Sequence, residues 1–269
     1  MTPADAPLRP LPADEGSTAE AAAIEAEAAA IEADASATEA AEATRAPALR
    51  VLCVLAVRPV LILALGATLL AANLSLLYAN ALVVAVDVVA LIAVGLAMRA
   101  EGSGLLALFR PWRWMDLLWG ALMLVILLAG FLASNFAANL IVYGGAPPMS
   151  TVAPDIPLWV GLIAVLVAPL TIAVSEEAVY RGYAQPRLAG RIGTALALIL
   201  VAVVFGVQHI GFALTSPEDV AAKVLTTCFA GLVLGGLMLW MKRIAPLVLG
   251  HWGLDLALLG LPTLLIALA

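Results

Sequence analysis

The chain consists mainly of long apolar runs separated by short polar segments. Each run approaches the ~20 residues with which an α-helix crosses a lipid bilayer. We predict seven membrane-spanning helices over residues 59–77, 81–98, 115–142, 158–185, 192–212, 220–240 and 246–268. The fold class is therefore all-α, a polytopic transmembrane helix bundle.

Composition supports this class and separates one terminal segment from it. The chain is 64% hydrophobic, and its mean hydropathy of +1.08 is far above that of an ordinary soluble domain. Residues 1–50 hold ten of the nineteen acidic residues and three of the thirteen basic ones. We predict that residues 1–50 form a disordered, acidic, Ala/Glu-rich cytoplasmic tail. No nucleic-acid partner is expected.

The basic residues predict the orientation of the bundle, because they collect in cytoplasmic loops. They lie before the first span and in every second loop: Arg45, Arg50, Arg58, Arg99, Arg110, Arg113, Arg187, Arg191, Lys242 and Arg243. The opposite loops hold almost no basic residue. This pattern predicts a multi-pass protein of the cell membrane with a cytoplasmic N-terminus and an exterior C-terminus.

A charged string interrupts the fourth apolar run. Ionised side chains at membrane depth cost a few kcal/mol, so they persist mainly where they are paired, hydrated or used chemically. Glu177 and Arg181 are spaced i, i+4 and are expected to form an ion pair, which taken alone is typical of a structural clamp. Glu176 lies about 100° round the helix. It is predicted to be the less neutralised carboxylate, available as a base or ligand.

The chain has only two histidines, and both lie in apolar helical stretches. Each taken alone is typical of a buried core residue. Glu176 and His209 are equidistant from a predicted turn near residues 188–193, so a helical hairpin would bring them to one level, roughly 25 Å from the turn. His251 would lie roughly 12 Å from the next basic loop. The hairpin is therefore expected to project roughly 12 Å into the cytoplasm.

Three motifs in order, Glu176-Glu177-x-x-x-Arg181, Phe205-x-x-x-His209 and His251-x-x-x-Asp255, resemble those of the CPBP family. This family comprises intramembrane proteases related to CAAX prenyl protease 2 and to bacterial bacteriocin-processing proteins. The resemblance covers about residues 155–269. We therefore divide the chain into the tail, N-terminal transmembrane helices over 51–150 and a catalytic transmembrane core over 151–269.

The resemblance implies a core of four helices with a polar cavity that opens toward the cytoplasm and the lipid. It implies an intramembrane endopeptidase in which Glu176 and His209 activate water. His251 and Asp255 would hold the oxyanion, although asparagine is commoner at the second position. An ionised aspartate cannot donate a hydrogen bond. Asp255 is therefore expected to orient His251 and keep it cationic, unless burial keeps the carboxyl protonated.

The residues leave the mechanism and the function class open. Glu176, His209 and His251 suit a divalent metal such as zinc, and they equally suit metal-free catalysis by glutamate and histidine, which we favour. The expected partners are the lipid and a peptide or membrane-anchored substrate cut near the cytoplasmic interface. The alternative is a non-hydrolytic scaffold or immunity protein of the same fold. A transporter is disfavoured because no inverted repeat is evident.

Two acidic residues lie outside the resemblance. Asp87, in the second predicted span, is expected to form hydrogen bonds between helices. Asp116 is expected to cap the third span at the membrane interface.

Overall fold

A computed structural model describes residues 47–148 and 155–269, and all regular structure in these ranges is helical. The prediction of a disordered tail falls almost entirely outside the described residues. The α-helices of these ranges are α1 Ala48–Ala71, α2 Ala79–Arg99, α3 Met115–Tyr143, α4 Leu158–Leu166, α5 Ala168–Glu176, α6 Gln185–Ile192, α7 Thr194–Val207, α8 Pro217–Met241, α9 Ile244–Asp255 and α10 Leu261–Leu268.

Short segments of other helical types join several of these helices. Three are 3-10 helices, Leu76–Tyr78, Leu105–Phe109 and Gln208–Phe212, and two are π-helices, Glu177–Ala184 and Leu256–Gly260. The first π-helix begins between the two adjacent glutamates, and the second begins directly after Asp255. Because π-helical turns often occur at functional sites, these junctions mark the motif residues structurally.

Within the described residues, six helices are long and apolar enough to cross a membrane: Ala48–Ala71, Leu76–Arg99, Met115–Tyr143, Thr194–Phe212, Pro217–Met241 and Ile244–Leu268. A seventh span results if α4 and the helical segment Ala168–Ile192, which are bent by 46°, are counted together. The prediction of about seven spans is confirmed. Pro169 explains the bend, because it lacks the N–H that would continue the helix from α4.

The first span was placed too late in the sequence. It begins at Ala48, and Pro59 lies inside the helix rather than at its start. The basic residues up to Arg58 had suggested a loop before the first span. In the structure Arg58 is fully buried within α1, so its charge does not mark a helix boundary.

Two glycines fix α1 against the 3-10 helix Gln208–Phe212. A Cβ atom at Gly66 would lie 2.1 Å from the carbonyl oxygen of Gly211, and one at Gly211 would lie 2.2 Å from the carbonyl oxygen of Ile62. No side chain fits between backbones this close. The contact therefore holds the middle of α1 directly against the segment that carries His209.

The two ends of the bundle have different polar contacts. At one end ion pairs connect the basic loops: Arg50 to Glu101 (3.6 Å), Arg187 to Glu101 (2.5 Å) and Arg243 to Asp116 (2.8 Å). At the other end the contacts are hydrogen bonds, with Asn80 donating to Thr263 (2.8 Å) and Tyr143 donating to Asp219 (2.7 Å). The prediction that Asp116 caps α3 was wrong, because Trp114 is the N-cap residue without a side-chain bond; Asp116 lies in the first turn and accepts from the Arg113 backbone N–H (2.9 Å).

Candidate active site

Arg58 of α1 lies at the centre of a buried polar cluster. Its side chain pairs with the carboxylates of Asp87 and Glu176 and donates to Gln208 Oε1 at 2.9 Å. The residue is 0% exposed. A buried arginine is stable only when its donors are satisfied, and here three side chains from three other helical segments supply the acceptors.

Glu176 is more fully paired than the sequence predicted. Its Oε1 atom accepts from Arg58 and from Gln208 Nε2 at 2.9 Å. Gln208 in turn accepts from the Tyr180 hydroxyl at 2.7 Å, so its amide has donors on its oxygen and an acceptor on its nitrogen. The expectation of a less neutralised Glu176 was wrong, because Arg58 had been assigned to a loop.

Asp87 completes the cluster from α2. It accepts hydrogen bonds from Ser175 and Thr171, both at 2.8 Å, besides its contact with Arg58. The predicted role of Asp87 in hydrogen bonding between helices is thus observed. The formal charge of Arg58, Asp87 and Glu176 together is −1, so the cluster as a whole remains anionic.

Glu177 and Arg181 form the predicted i, i+4 pair, with Arg181 Nη1 3.4 Å from Glu177 Oε1. The guanidinium also donates to the Gly231 carbonyl at 3.2 Å and lies 4.4 Å from the centre of the Phe205 ring, a cation–π distance. Both residues of the pair are fully buried. Arg181 therefore connects the first motif to α7 and α8.

His251 is oriented by Glu177. Its Nδ1 atom lies 2.8 Å from Glu177 Oε1, whereas Nε2 is 3.6 Å from Glu176 Oε2 and 3.6 Å from Asp255 Oδ2. The longer distances exceed those of hydrogen bonds. Asp255 was expected to orient His251, but a residue one turn away on the same helix does not reach the ring as closely as Glu177 does.

The tautomer of neutral His209 follows from one contact. Its Nδ1 atom is 2.7 Å from the carbonyl oxygen of Phe205, and a carbonyl oxygen can only accept. Nδ1 therefore carries the proton, which leaves the lone pair on Nε2. The rings of Phe205 and Phe212 pack beside the imidazole, with centroid distances of 5.1 and 5.9 Å.

A cavity of about 620 Å³ brings the motif residues together. This volume lies within the range of sites for small ligands, roughly 300–1,000 Å³. Its polar wall includes four of the predicted residues, Glu176, His209, His251 and Asp255. Glu177 and Arg181 lie behind this wall and do not line the cavity. The six predicted residues thus divide into a cavity-lining group and a supporting pair.

The cavity extends toward the end of the bundle that lacks the basic loops. Its lining includes Ser75, Asn80, Thr215 and Thr263. The resemblance implied an opening toward the cytoplasm, whereas the basic residues assign the cytoplasm to the opposite end. The two expectations therefore disagree for this cavity.

The cavity residues do not form a metal-ligand set. Among the described residues, no group of three or more His, Cys, Asp or Glu side chains has an arrangement suited to a metal ion. Glu176 Oε1 is occupied by Arg58 and Gln208. The guanidinium beside Glu176 would also repel a divalent cation. The predicted ligands Glu176, His209 and His251 therefore do not fit such an ion here.

Sequence reasoning missed two residues of this site. Arg58 contributes to the cavity wall, and Gln208 hydrogen-bonds Glu176 directly. A signal existed for each. Arg58 stands between apolar residues that continue in both directions. Gln208 is a polar residue that directly follows the apolar run of α7 and precedes His209.

Comparison with known proteins agrees with the motifs. Residues 156–257 match the family described as type II CAAX prenyl endopeptidase Rce1-like. Searches of curated proteins and of solved structures found no match. The matched segment contains all three motifs, and it confirms the resemblance to CPBP intramembrane proteases. Residues 156–257 are therefore an Rce1-like segment, and the match supports an integral membrane endopeptidase as the general class of this protein.

Proposed function

We propose that this protein hydrolyses a peptide bond inside the cavity, using water activated by Glu176 and His209. The observation that supports this most directly is the convergence of both side chains on one cavity, with the lone pair of His209 on Nε2. The neighbouring residue Gln208 bonds Glu176 at 2.9 Å, which keeps the two catalytic candidates at the same depth.

In this scheme a water molecule lies between Glu176 and His209. One of these two side chains takes a proton from the water as the water oxygen attacks the carbonyl carbon of the substrate. The carbon–nitrogen bond then breaks, and the proton passes to the leaving amine. The products are a new amine and a new carboxylic acid, which loses the second proton of the water to the solvent and becomes a carboxylate. Glu176 retains hydrogen bonds on Oε1, so Oε2 is the oxygen available to the water. No step of this scheme requires a metal ion.

The developing negative charge on the substrate oxygen needs donors in a site that excludes bulk water. His251 supplies one as an imidazolium, because Glu177 accepts from Nδ1–H and only the cationic ring carries a second proton, on Nε2. Arg58, which also contributes to the cavity wall, places a permanent positive charge beside Glu176. Glu177 and Arg181 act as positioning residues for His251 and for the helices around it.

The test uses the purified full-length protein in detergent and a panel of quenched fluorescent peptides. We expect Glu176→Gln and His209→Ala to lose more than about 100-fold of the cleavage rate, as removal of a general base does. The matched control is Glu218→Gln, which makes the same change at an exposed glutamate. Cleavage in ¹⁸O-labelled water should place one labelled oxygen in the new carboxyl group.

Metal content is measured on the same samples, with and without a chelator. Equal cleavage by the wild type and both variants would contradict the proposal and indicate a contaminating protease. Folded protein that cleaves none of the peptides would favour the non-hydrolytic scaffold. Activity that is lost with the chelator and returns with zinc would contradict the metal-free scheme.

A further inference from the structure

A group of basic and aromatic side chains at the end of the bundle that carries the basic loops has no role in the proposed hydrolysis. It lies where the segment before α3 meets the turn between α8 and α9. Arg243 of this turn connects the two, because its guanidinium donates to the Pro111 carbonyl oxygen and to Asp116 Oδ2, both at 2.8 Å. The segment and the turn therefore form one continuous surface.

This surface carries three exposed cations in addition to Arg243. Arg110 and Arg113 lie in the segment before α3, and Lys242 is the C-cap residue of α8. Within residues 47–148 and 155–269, their charged groups take part in no hydrogen bond or ion pair. Asp116 is buried and already pairs with Arg243. Its carboxylate therefore does not compensate the three exposed charges.

Exposed tryptophan side chains lie beside these cations. Trp112 and Trp114, on either side of Arg113 in the sequence, are 56% and 70% exposed. Trp240, in the last turn of α8, is 60% exposed, and its ring packs edge-on against Trp119 of α3 with the centroids 6.1 Å apart. Tryptophan collects at the headgroup level of a bilayer, because its ring is apolar and its N–H is a donor. We define the tryptophan–cation surface as Arg110, Trp112, Arg113, Trp114, Trp240 and Lys242.

Another basic group at the same end is compensated within the protein. Glu101 lies 3.6 Å from Arg50 and 2.5 Å from Arg187, and the Arg187 guanidinium lies 3.9 Å from the centre of the Tyr183 ring. An external anion would have to displace Glu101 to bind these arginines. The three exposed cations of the tryptophan–cation surface are available without such a displacement.

We propose that the tryptophan–cation surface binds an anionic phospholipid. The cations hold the headgroup phosphate, and the tryptophan rings pack against the glycerol and the upper part of the acyl chains. Because the membrane-spanning helices α3, α8 and α9 begin or end here, the surface lies at the depth of the headgroups. Each basic residue beside a membrane helix strengthens the binding of an anionic headgroup about fivefold. This site is separate from the cavity and independent of the proposed hydrolysis.

The test is native mass spectrometry of the purified full-length protein in a neutral detergent, titrated with dioleoyl-phosphatidylglycerol or dioleoyl-phosphatidylcholine. The two lipids have the same acyl chains but differ in headgroup charge. We expect the wild type to bind phosphatidylglycerol about 10- to 100-fold more tightly, with a preference that falls as salt is added. The triple variant Arg110→Gln, Arg113→Gln, Lys242→Gln should bind both lipids alike. Equal binding of both lipids by the wild type would overturn the proposal.

The matched control is a triple variant that loses the same charge at the same end of the bundle, Arg50→Gln, Arg99→Gln, Arg187→Gln. Arg99 is exposed, and the other two arginines pair with Glu101. This variant should keep most of the preference. Equal losses in both triple variants would show that the charge of the whole end attracts the lipid, and would overturn the assignment to one surface. If circular dichroism shows that a triple variant is unfolded, Lys242→Gln alone should lower the preference about fivefold.

Two further measurements test the kind of ligand. Trp114→Ala should weaken the binding of both lipids and leave their ratio unchanged, because an indole ring does not distinguish the headgroup charges. Unchanged binding of both lipids would contradict the packing against tryptophan. Inorganic phosphate should not displace phosphatidylglycerol, because it shares the charge but lacks the glycerol and acyl chains. Displacement at phosphate concentrations similar to those of the lipid would overturn the lipid as ligand and indicate a site for a free phosphate.

Discussion

The helices before residue 156 and the Rce1-like segment contribute differently to the same site. The segment supplies Glu176, Gln208, His209 and His251. Helix α1 supplies Arg58, which balances the charge of Glu176, and α2 supplies Asp87, which pairs with Arg58. The candidate reactive groups are thus encoded in the matched region, and part of their electrostatic environment lies outside it. A family match alone therefore underestimates the extent of the site.

The largest effect is expected from Arg58→Leu. This change leaves Asp87 and Glu176 buried without their common cation, which typically costs about 3–5 kcal/mol of stability. We expect a large drop in the unfolding temperature in detergent, measured by circular dichroism, and loss of peptide cleavage. Arg187→Leu is the control, because its ion pair with Glu101 is partly exposed and contributes at most about 1 kcal/mol. Equal effects of both changes would show that α1 does not contribute specifically to the site.

Gly66→Ala should have the second largest effect, because the new methyl group would meet the Gly211 backbone. Overpacking of this kind costs about 1–3 kcal/mol, and it should also shift His209 and lower activity. Gly95→Ala in α2, where nothing lies within 4 Å of the added atom, is the matched control and should be neutral or stabilising. A fully active, equally stable Gly66→Ala protein would mean that α1 and the 3-10 helix can separate without consequence.

A smaller effect is expected from Asp87→Asn. The asparagine can retain contacts with Arg58 and Ser175, but the formal charge of the cluster changes from −1 to zero. Because Glu176 is then the one carboxylate of the cluster that shares the charge of Arg58, it becomes a weaker base, and we expect about a tenfold lower kcat with KM nearly unchanged. Steady-state kinetics test this, with Asp155→Asn, an exposed aspartate, as the control. An unchanged kcat would separate Asp87 from the chemistry and leave it a structural role.

The smallest effect concerns the basic end, outside the site. Burial by itself raises the pKa of Glu101, but hydrogen bonds from Arg187 and Tyr183 and the charges of Arg187 and Arg50 hold this pKa below its usual value. The contribution of Glu101 to stability is therefore complete above its unfolded pKa of about 4.3 and is lost as pH falls through the lower folded value. Unfolding temperatures of wild type and Glu101→Gln should converge between pH 5 and 3, taken as a rough window. A constant difference would contradict this.

The sequence predicted the helical class, the number of spans and the motif residues, because apolar length and i, i+4 spacing are local properties. It did not predict which carboxylate Arg58 neutralises, since that depends on contacts between residues 118 positions apart. The partner of His251 was also missed. Asp255 shares its helix face, but the orientation of the imidazole is set by Glu177 from another helix.

The burial of Arg58 also has a consequence for how the protein enters the membrane during synthesis. The residue lies near the middle of the 24-residue helix α1, where an arginine adds about 2.5–3.5 kcal/mol to the free energy of insertion. Asp87 follows 29 residues later, whereas Glu176 and Gln208 follow after 118 and 150 residues. During translation α2 therefore brings the first counter-charge that Arg58 meets. The first two helices are best suited to insert together as a hairpin, well before the candidate catalytic residues leave the ribosome.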